Sequence, residues 1–314
     1  MPNPVRNRSE ILFIYDVTDA NPNGDPLDEN RPRIDEETGQ NIVTDVRLKR
    51  TVRDYLHAFK GLDVFVLGIP DENGKLITKE KRQDSFSGTA EVLEKCIDLR
   101  LFGATIAVEK KTLTLTGPVQ FKFGRSLHPV DTQLFRGTTV MPSAEQKAQG
   151  TFWEAYILPY SLIAFYGVVN ENAACLHQQA GRALEREVYL YEEDVKLLLE
   201  GLWEGTKNLI SRSKFGQMPR LLLHVIHKEK NYHIGELDKL VALNTNGKDG
   251  RSLRRVSELA LDVTPLANRI GREAQRILKI QYLWDPSLVL EKDGSTLSSI
   301  SDLASGIEYE ELSF

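Results

Sequence analysis

The chain has 314 residues, 41% of them hydrophobic and 27% charged, with 40 basic against 45 acidic residues and a formal net charge of −5. That balance excludes disordered and fibrous classes, and allows one large domain or two modest ones with a substantial core. The longest apolar run, residues 157–169, is broken by Pro159, Tyr160, Ser161 and Gly167, and MPNPVRNRSE has no apolar signal core, so neither a membrane helix nor an export signal is expected.

In chain order, residues 9–18 (SEILFIYDVT) predict a buried strand, because Ile11, Leu12, Phe13, Ile14, Tyr15 and Val17 are bulky or β-branched. A long loop rich in Asn, Pro, Gly and Asp follows, of the length that is usually functional or disordered. Thr44 then reads as a helix N-cap with Asp45 in the first turn. Behind it Leu48, Val52, Tyr55, Leu56 and Phe59 make one apolar stripe, Arg47, Lys49, Arg50 and Arg53 lie off it as a basic exposed side, and Gly61 is a stop. A second helix is expected over 89–101, ending at Phe102-Gly103-Ala104. Residues 112–123 read as a strand or hairpin, 132–150 as an insertion or exposed loop, and 155–169 as strand-rich. Helical character is expected over 172–187 and 192–210, and a short buried strand over 221–227. Strand-helix-strand given twice is the order of a split βαβ, ferredoxin-like sheet, the sheet also of the RNA recognition motif. The fold class expected is therefore α+β, with an antiparallel sheet over 1–228 carrying insertions and an extension over 229–314 that completes or decorates it.

The charge is sorted into blocks. Residues 16–37 hold eight acids and two bases, 44–60 five bases and two acids, 205–230 six bases and one acid, and 285–314 seven acids and one base. A basic face on an acidic protein is feasible, and the basic run 248–255 (net +3) and the acidic tail are candidates to face adjacent copies.

Catalytic signals are weak. Asp16, Asp19, Asp25, Asp28 and Asp35 could in principle converge on metal ions, yet Asp interleaved with Pro and Gly is the ordinary composition of turns. The six His offer no metal pair, and His224 and His227 point to opposite faces of their strand. Cys96 and Cys175 make neither a disulfide framework nor a ligand spacing, and read as buried filler in a reducing cytoplasm. No nucleophilic triad, phosphate loop or dinucleotide fingerprint is present. No metal and no cofactor are expected.

Binding signals are better. The N-terminus of the 44–53 helix offers free N–H groups to a phosphate, with four bases beside it. VQFKFGRS (119–126) places Phe121 and Phe123 on one strand face as a possible stacking platform, although such pairs are more often core. KNLISRSKFGQMPR (207–220) is basic with an apolar tip, and taken alone is an ordinary helix-to-strand connection.

SEILFIYDVTDANPNGDP, RPRIDEETG, IVTDVRLKRTVRDYL, DLRLFGA and LTGPVQFKFGRSLHP, in this order, resemble the guide-RNA-binding backbone subunit of type I CRISPR Cascade, the Cas7 family of the RAMP superfamily, and most of all its I-B form. The resemblance is dense over 9–170, looser to about 228, and slight beyond. It implies a modified RNA-recognition-motif palm with inserted fingers and thumb, and several copies stacked along one guide RNA (crRNA). It also implies a thumb that displaces bases at intervals, and target DNA read by base pairing. Implied partners are the other copies and the large, small and guide-processing Cascade subunits. No chemistry of its own and no membrane are implied.

The resemblance makes Thr44, Arg47, Lys49, Arg50 and Arg53 the backbone contacts. Asn21, Asn23 and Gly24 would shape the groove. Phe102 and Gly103 would let the chain approach RNA closely, and Arg125, Ser126 and His128 would line the same channel. The thumb is placed at 207–218, with Lys207, Arg212, Lys214 and Met218, or else at 132–150. The competing functions are a metal-dependent ribonuclease of the type III kind, using Asp25 or Asp35, and an RNA-recognition-motif protein outside CRISPR.

Overall fold

The computed structural model describes residues 3–108, 111–138, 152–180 and 187–314. In chain order they form β1 (Ser9–Ala20), the short pair β2 (Gly24–Asp25) and β3 (Arg31–Pro32), β4 (Gln40–Val43) and α1 (Asp45–Lys60). Three small helices follow, α2 (Lys79–Asp84), α3 (Thr89–Lys95) and α4 (Ile97–Phe102), then the hairpin β5 (Gly103–Val108) and β6 (Lys111–Thr116). Next come β7 (Val119–Phe121), β8 (Gly124–Pro129), β9 (Gln133–Thr138) and the 18-residue β10 (Phe152–Val169). The remainder is α5 (Leu176–Ala180), α6 (Glu192–Lys207), β11 (Gln217–His227), β12 (Ala242–Asn244), β13 (Ala260–Asp262), α7 (Thr264–Arg272), β14 (Ile277–Trp284), β15 (Val289–Lys292), β16 (Ser295–Thr296) and β17 (Glu308–Glu311).

The main sheet runs β17-β14-β11-β1-β10-β8-β4, with β7 also on β10. Its centre is the ferredoxin arrangement. β1 lies between β10 and β11, antiparallel to both, and β7 and β8 lie outside β10. The two crossover helices α1 and α6 pack together on one face, as the strand-helix-strand order requires. The fold is α+β, as expected.

Why β1 is apolar along nearly its whole length follows from its position. Ile11, Phe13, Tyr15 and Val17 join the core under α1 and α6, whereas Leu12 and Ile14 join a second core. That second core is built largely from residues beyond 228, among them Leu237, Leu261, Leu266, Ile270 and Leu303. A strand covered on both faces has no polar side to show, so period-two alternation disappears. Buried Glu10 ties the outer layer down: it accepts from His227 Nε2 at 2.8 Å, Tyr166 Oη at 2.7 Å, and the backbone N–H groups of Ile234 and Gly235 at 2.7 Å each. Burial alone would raise this carboxyl, but the four donors hold it below its usual value. Residues after 228 also add β14 and β17 to the sheet.

Several expected elements are corrected. The helix over 89–101 is two short ones, broken where Cys96 is extended (ψ 100°). Residues 133–138 of the supposed loop 132–150 form β9, which pairs with the start of β10; 139–150 lie outside the described residues. Only Leu176–Ala180 of 172–187 is described as α-helix, and 181–186 lie outside the described residues. α6 stops at Lys207 because Asn208 leaves helical geometry. Cys96 is buried as expected, but Cys175 is half-buried. Among the described residues no helix is long and apolar enough to cross a membrane.

Candidate nucleic-acid interface

The N-terminus of α1 is set by its cap. Thr44 is extended, its Oγ accepts from Arg47 N at 3.4 Å, and its own N–H and O–H both donate to Asn23 Oδ1, at 2.8 and 2.9 Å. A cap of this kind contributes about 1 kcal/mol. Asn21, buried two residues earlier, donates from Nδ2 to Asn30 O at 2.6 Å, closing the β2–β3 turn in which Gly24 packs against Asn30 with no room for a Cβ. The loop after β1 is therefore a folded ribbon that leans on the start of α1.

The connection 208–216 is laced to the end of β1. Thr18 N donates to Gly216 O and Asn21 N to Ser213 O, both at 2.9 Å. Gly216 has φ +108°, and a Cβ there would meet Thr18 O at 2.4 Å, so only glycine fits so close to β1. This brings Lys214 over the site, where its Nζ donates to Asn21 O. Burial, and then the Arg47 guanidinium, lower the Lys214 amine to about 8. Arg47 is itself held below its usual value by burial, its Nη2 donates to Thr51 Oγ1 at 3.0 Å, and its Nε has no partner. Neither cation makes an ion pair among the described residues. Asn21, Asn23, Gly24, Thr44, Arg47 and Lys214, far apart in sequence, are thus one cluster.

A second group from the sequence is brought together differently. Lys49, 8% exposed, pairs with Asp45 at 2.9 Å, and the Arg53 side chain, 11% exposed, pairs with the fully buried Asp98 at 2.9 Å. Both cations lie over the Phe102 ring, at 5.5 and 5.1 Å from its centroid. Asp98 also accepts from Phe65 N and Val66 N. The expected basic exposed side of α1 is therefore corrected: Lys49 and Arg53 are consumed in the interior, and only Arg50 is well exposed, paired with Asp54 at 2.5 Å. Phe59, by contrast, leaves the apolar stripe for solvent, stacked on Tyr55. Gly103 has φ +72°, and a Cβ would meet Leu115 O at 2.3 Å and Gly117 N at 2.4 Å. Its close approach in the folded chain is to its own hairpin.

Arg125 is half exposed and pairs with Asp35 at 2.7 Å. Ser126 and His128, expected along the same channel, are buried. Ser126 Oγ accepts from Asn41 N and donates to His128 O. His128 stacks on Tyr160 and its Nε2 accepts from Leu162 N at 3.2 Å, so Nδ1 carries the proton toward Pro129 O; burial lowers its pKa. Ser126 thus ties β8 to β4, and His128 ties it to β10. Phe123 does not share a face with Phe121, because the strand breaks between β7 and β8; Phe121 is buried and Phe123 exposed.

The first third of β10 leaves the sheet with β9 as a two-stranded arm whose Phe135 and Phe152 are exposed. Between this arm and the 208–216 connection lies a cleft of about 560 Å³, lined by Asp19, Asn21, Phe135, Trp153 and Arg212. Arg212 sits 4.5 Å over the Trp153 ring. Both candidate protrusions thus border one cleft, with Met218 and Phe215 exposed nearby in the chain. Lys207 ends α6 beside Glu204, at 3.7 Å. Phe135 and Trp153 are not among the site residues expected from the sequence; for Phe135 the signal is an aromatic residue in a largely polar stretch.

The acidic residues do not converge. Asp16 is buried against Arg220 at 2.9 Å and Tyr160, Asp25 pairs with Arg33 at 2.6 Å, Asp28 lies by Arg31 and Asp35 is held by Arg125. Among the described residues no group of three or more His, Cys, Asp or Glu could hold a metal ion.

Against known proteins, the model of the family "CRISPR-associated protein Cas7" matches residues 7–264, well past the point where the sequence motifs fade. The CRISPR-associated protein Cas7 of Haloferax volcanii is 34% identical over 322 residues, covering 93% of this chain and 91% of that protein. A chain of a solved CRISPR RNA-guided surveillance complex, pre-nicking, superposes with a TM-score of 0.56 at 15% identity, over 98% of this chain and 96% of that one. A chain of a second CRISPR RNA-guided surveillance complex gives 0.53 at 18%, over 96% and 94%. At those identities the superpositions speak to fold alone, and they share the α+β architecture described above. The sequence matches carry the assignment further: the chain belongs to the Cas7 family of CRISPR-associated proteins.

Proposed function

We propose that this chain binds a CRISPR guide RNA along its phosphate backbone, in several copies, as the filament of a type I, I-B-like Cascade complex that pairs the guide with target DNA. Residues 229–314 complete the palm. The chain works in the cytoplasm with the large, small and guide-processing subunits and performs no catalysis of its own.

The observation that carries this reading is the pair Arg47 and Lys214 at the N-terminus of α1. Both cations are buried beside the helix start, neither makes an ion pair among the described residues, and Asp54 offsets Arg47 only at a distance, so an anion arriving there would complete the charge. A phosphodiester supplies one without offering sequence information, which suits a subunit that must accept any guide. In the adjacent cleft, beside Trp153 and the Arg212 that covers it, Phe135 offers an exposed ring on which a displaced base would stack, an interaction worth about 1–3 kcal/mol per base. Asp25 and Asp35, the carboxylates a ribonuclease reading would need, are each engaged by an arginine.

The test is to express the chain with its partner subunits and a CRISPR array, size the particle, and sequence the RNA that copurifies. Long particles loaded with spacer-derived guides are expected. A monomer free of nucleic acid would return the chain to a binding role outside a guide complex, and metal-dependent cleavage of guide-complementary RNA would make it an enzyme.

A further inference from the structure

The hairpin β5–β6 stands apart from the main sheet as a sheet of two strands. Its strands pair from Gly103↔Thr116 to Val108↔Lys111, and among the described residues no strand pairs with the other edge of β5. At the start of that edge the Gly103 N–H donates to Leu99 O. Two residues on, the Thr105 carbonyl accepts from Lys79 Nζ, which reaches it from the start of α2, so it faces away from β6. In an antiparallel strand the N–H and C=O of one residue point the same way, so the Thr105 N–H faces outward as well. A lysine amine therefore stands where the N–H of a further strand would stand.

Along this edge lies a cleft of about 480 Å³, which shares no lining residue with the cleft beside Trp153. It is lined by residues 103–105 of the strand and by the apolar side chains of Val66, Leu67 and Ile77. Val66 is 50% exposed there, yet its segment is fixed: Val66 N donates to the buried Asp98, and Ile77 N to Ile69 O at 2.8 Å. Three cations line the same cleft, Arg50, Lys79 and Arg82, and no carboxylate does. Asp54 takes Arg50 at 2.5 Å, and Asp63 stands 3.5 Å from Arg82, whose Nη2 also donates to Val64 O at 3.1 Å. Lys79 makes no ion pair among the described residues, and Arg82 Nε, though buried, has no hydrogen-bond partner among them.

We propose that this cleft takes an extended acidic segment of a partner protein by strand addition to β5. An N–H of the segment replaces Lys79 on the Thr105 carbonyl, and a carbonyl of the segment accepts from the Thr105 N–H. An aliphatic side chain of the segment packs against Val66 and Ile77, and the displaced Lys79 amine meets one of its carboxylates. The main-chain bonds supply affinity, and the side-chain pockets beside them supply specificity. Charge chooses the partner, because three cations with no carboxylate in the lining repel a basic segment. The hairpin gains a third strand, where two alone are marginal. The guide-RNA reading is separate: it rests on Arg47 and Lys214, neither of which lines this cleft.

The test offers the full chain two pools of short synthetic peptides, one randomised over Glu, Asp, Val, Leu and Ile, the other with Lys and Arg in place of the acids. Capture of the acidic pool is expected to be about tenfold stronger. For its best-captured member, Lys79→Glu and Val66→Ser are each expected to weaken binding about tenfold, methylation of the peptide's backbone nitrogens to abolish it, and hydrogen exchange at Thr105 to slow in the complex. Lys79 is exposed, so its substitution leaves the fold intact, which a melt checks. Equal capture of the two pools, capture of neither, or a methylated peptide that binds as well as its parent overturns the proposal. Capture that Lys79→Glu leaves unchanged or raises makes Lys79 a guard against stray strand pairing, and overturns it too. If Lys79→Glu costs as much affinity for single-stranded RNA as for the peptide, or abolishes self-association of the concentrated chain, the cleft serves nucleic acid or a second copy instead. Failure here leaves the guide-RNA reading standing, because Arg47 and Lys214 are unchanged in every variant.

Discussion

The first turn of α1 and the turns after it carry the same kind of side chain to opposite ends. Toward its middle, Lys49 and Arg53 meet Asp45 and Asp98 and lie over Phe102, so their charge is neutralised inside the protein. At its start, Arg47 is near enough to lower the Lys214 amine, and neither has a carboxylate in an ion pair among the described residues. The difference teaches that the number of basic residues on a helix says little about where an anion binds. What matters is which of them the fold leaves uncompensated. Completed charge serves stability; incomplete charge is available for a ligand.

The sharpest way to break this contrast is Asp98→Ala. It leaves Arg53 buried without its partner and Phe65 N and Val66 N without an acceptor, and is expected to destabilise the protein by about 3–5 kcal/mol in denaturant unfolding. A loss below about 1 kcal/mol would mean that the Arg53–Asp98 pair is not part of the interior. Next in size, Lys214→Met is expected to lower affinity for single-stranded RNA about tenfold. Relieving a buried cation next to Arg47, the same change should raise stability by about 1 kcal/mol, the opposite sign. Melting and RNA titration on one preparation check both, and a variant that loses stability and affinity together would place Lys214 with the structural group.

Salt and pH sharpen the contrast further. Arg47→Ala is expected to reduce the slope of log affinity against log salt by about 1, the mark of one lost phosphate contact, equally for unrelated RNA sequences. The Lys214 amine, near 8 in the folded chain, ordinarily titrates about two units higher. Between those values the unfolded chain holds a proton that the folded one lacks, so stability should rise with pH across that window. Bound phosphate favours the charged amine, so RNA affinity should fall as pH rises through about 8. Lys214→Arg should flatten that dependence, and an equally steep fall in the Arg variant would assign it to another group. The smallest effect is expected at Arg50→Ala: its exposed pair with Asp54 is worth at most about 0.5 kcal/mol, so a melt should hardly move.

Much of this protein is legible in its order of residues because local rules decide it. The apolar run of β1, the Thr44 cap, the Gly61 stop and the two strand-helix-strand units depend on neighbours in sequence, and all appear where expected. The motifs from NPNGDP to RLFGA also place it in its family, as the comparisons do. Only the tertiary structure decided which predicted contacts are available. Asp98 lies 45 residues from Arg53 and His128 lies 34 from Leu162, so no periodicity could reveal that these groups consume one another. Lys214 reaches Asn21 across 193 residues. Electrostatic satisfaction is a property of spatial neighbours, and helix period, caps and turn chemistry report only on sequence neighbours.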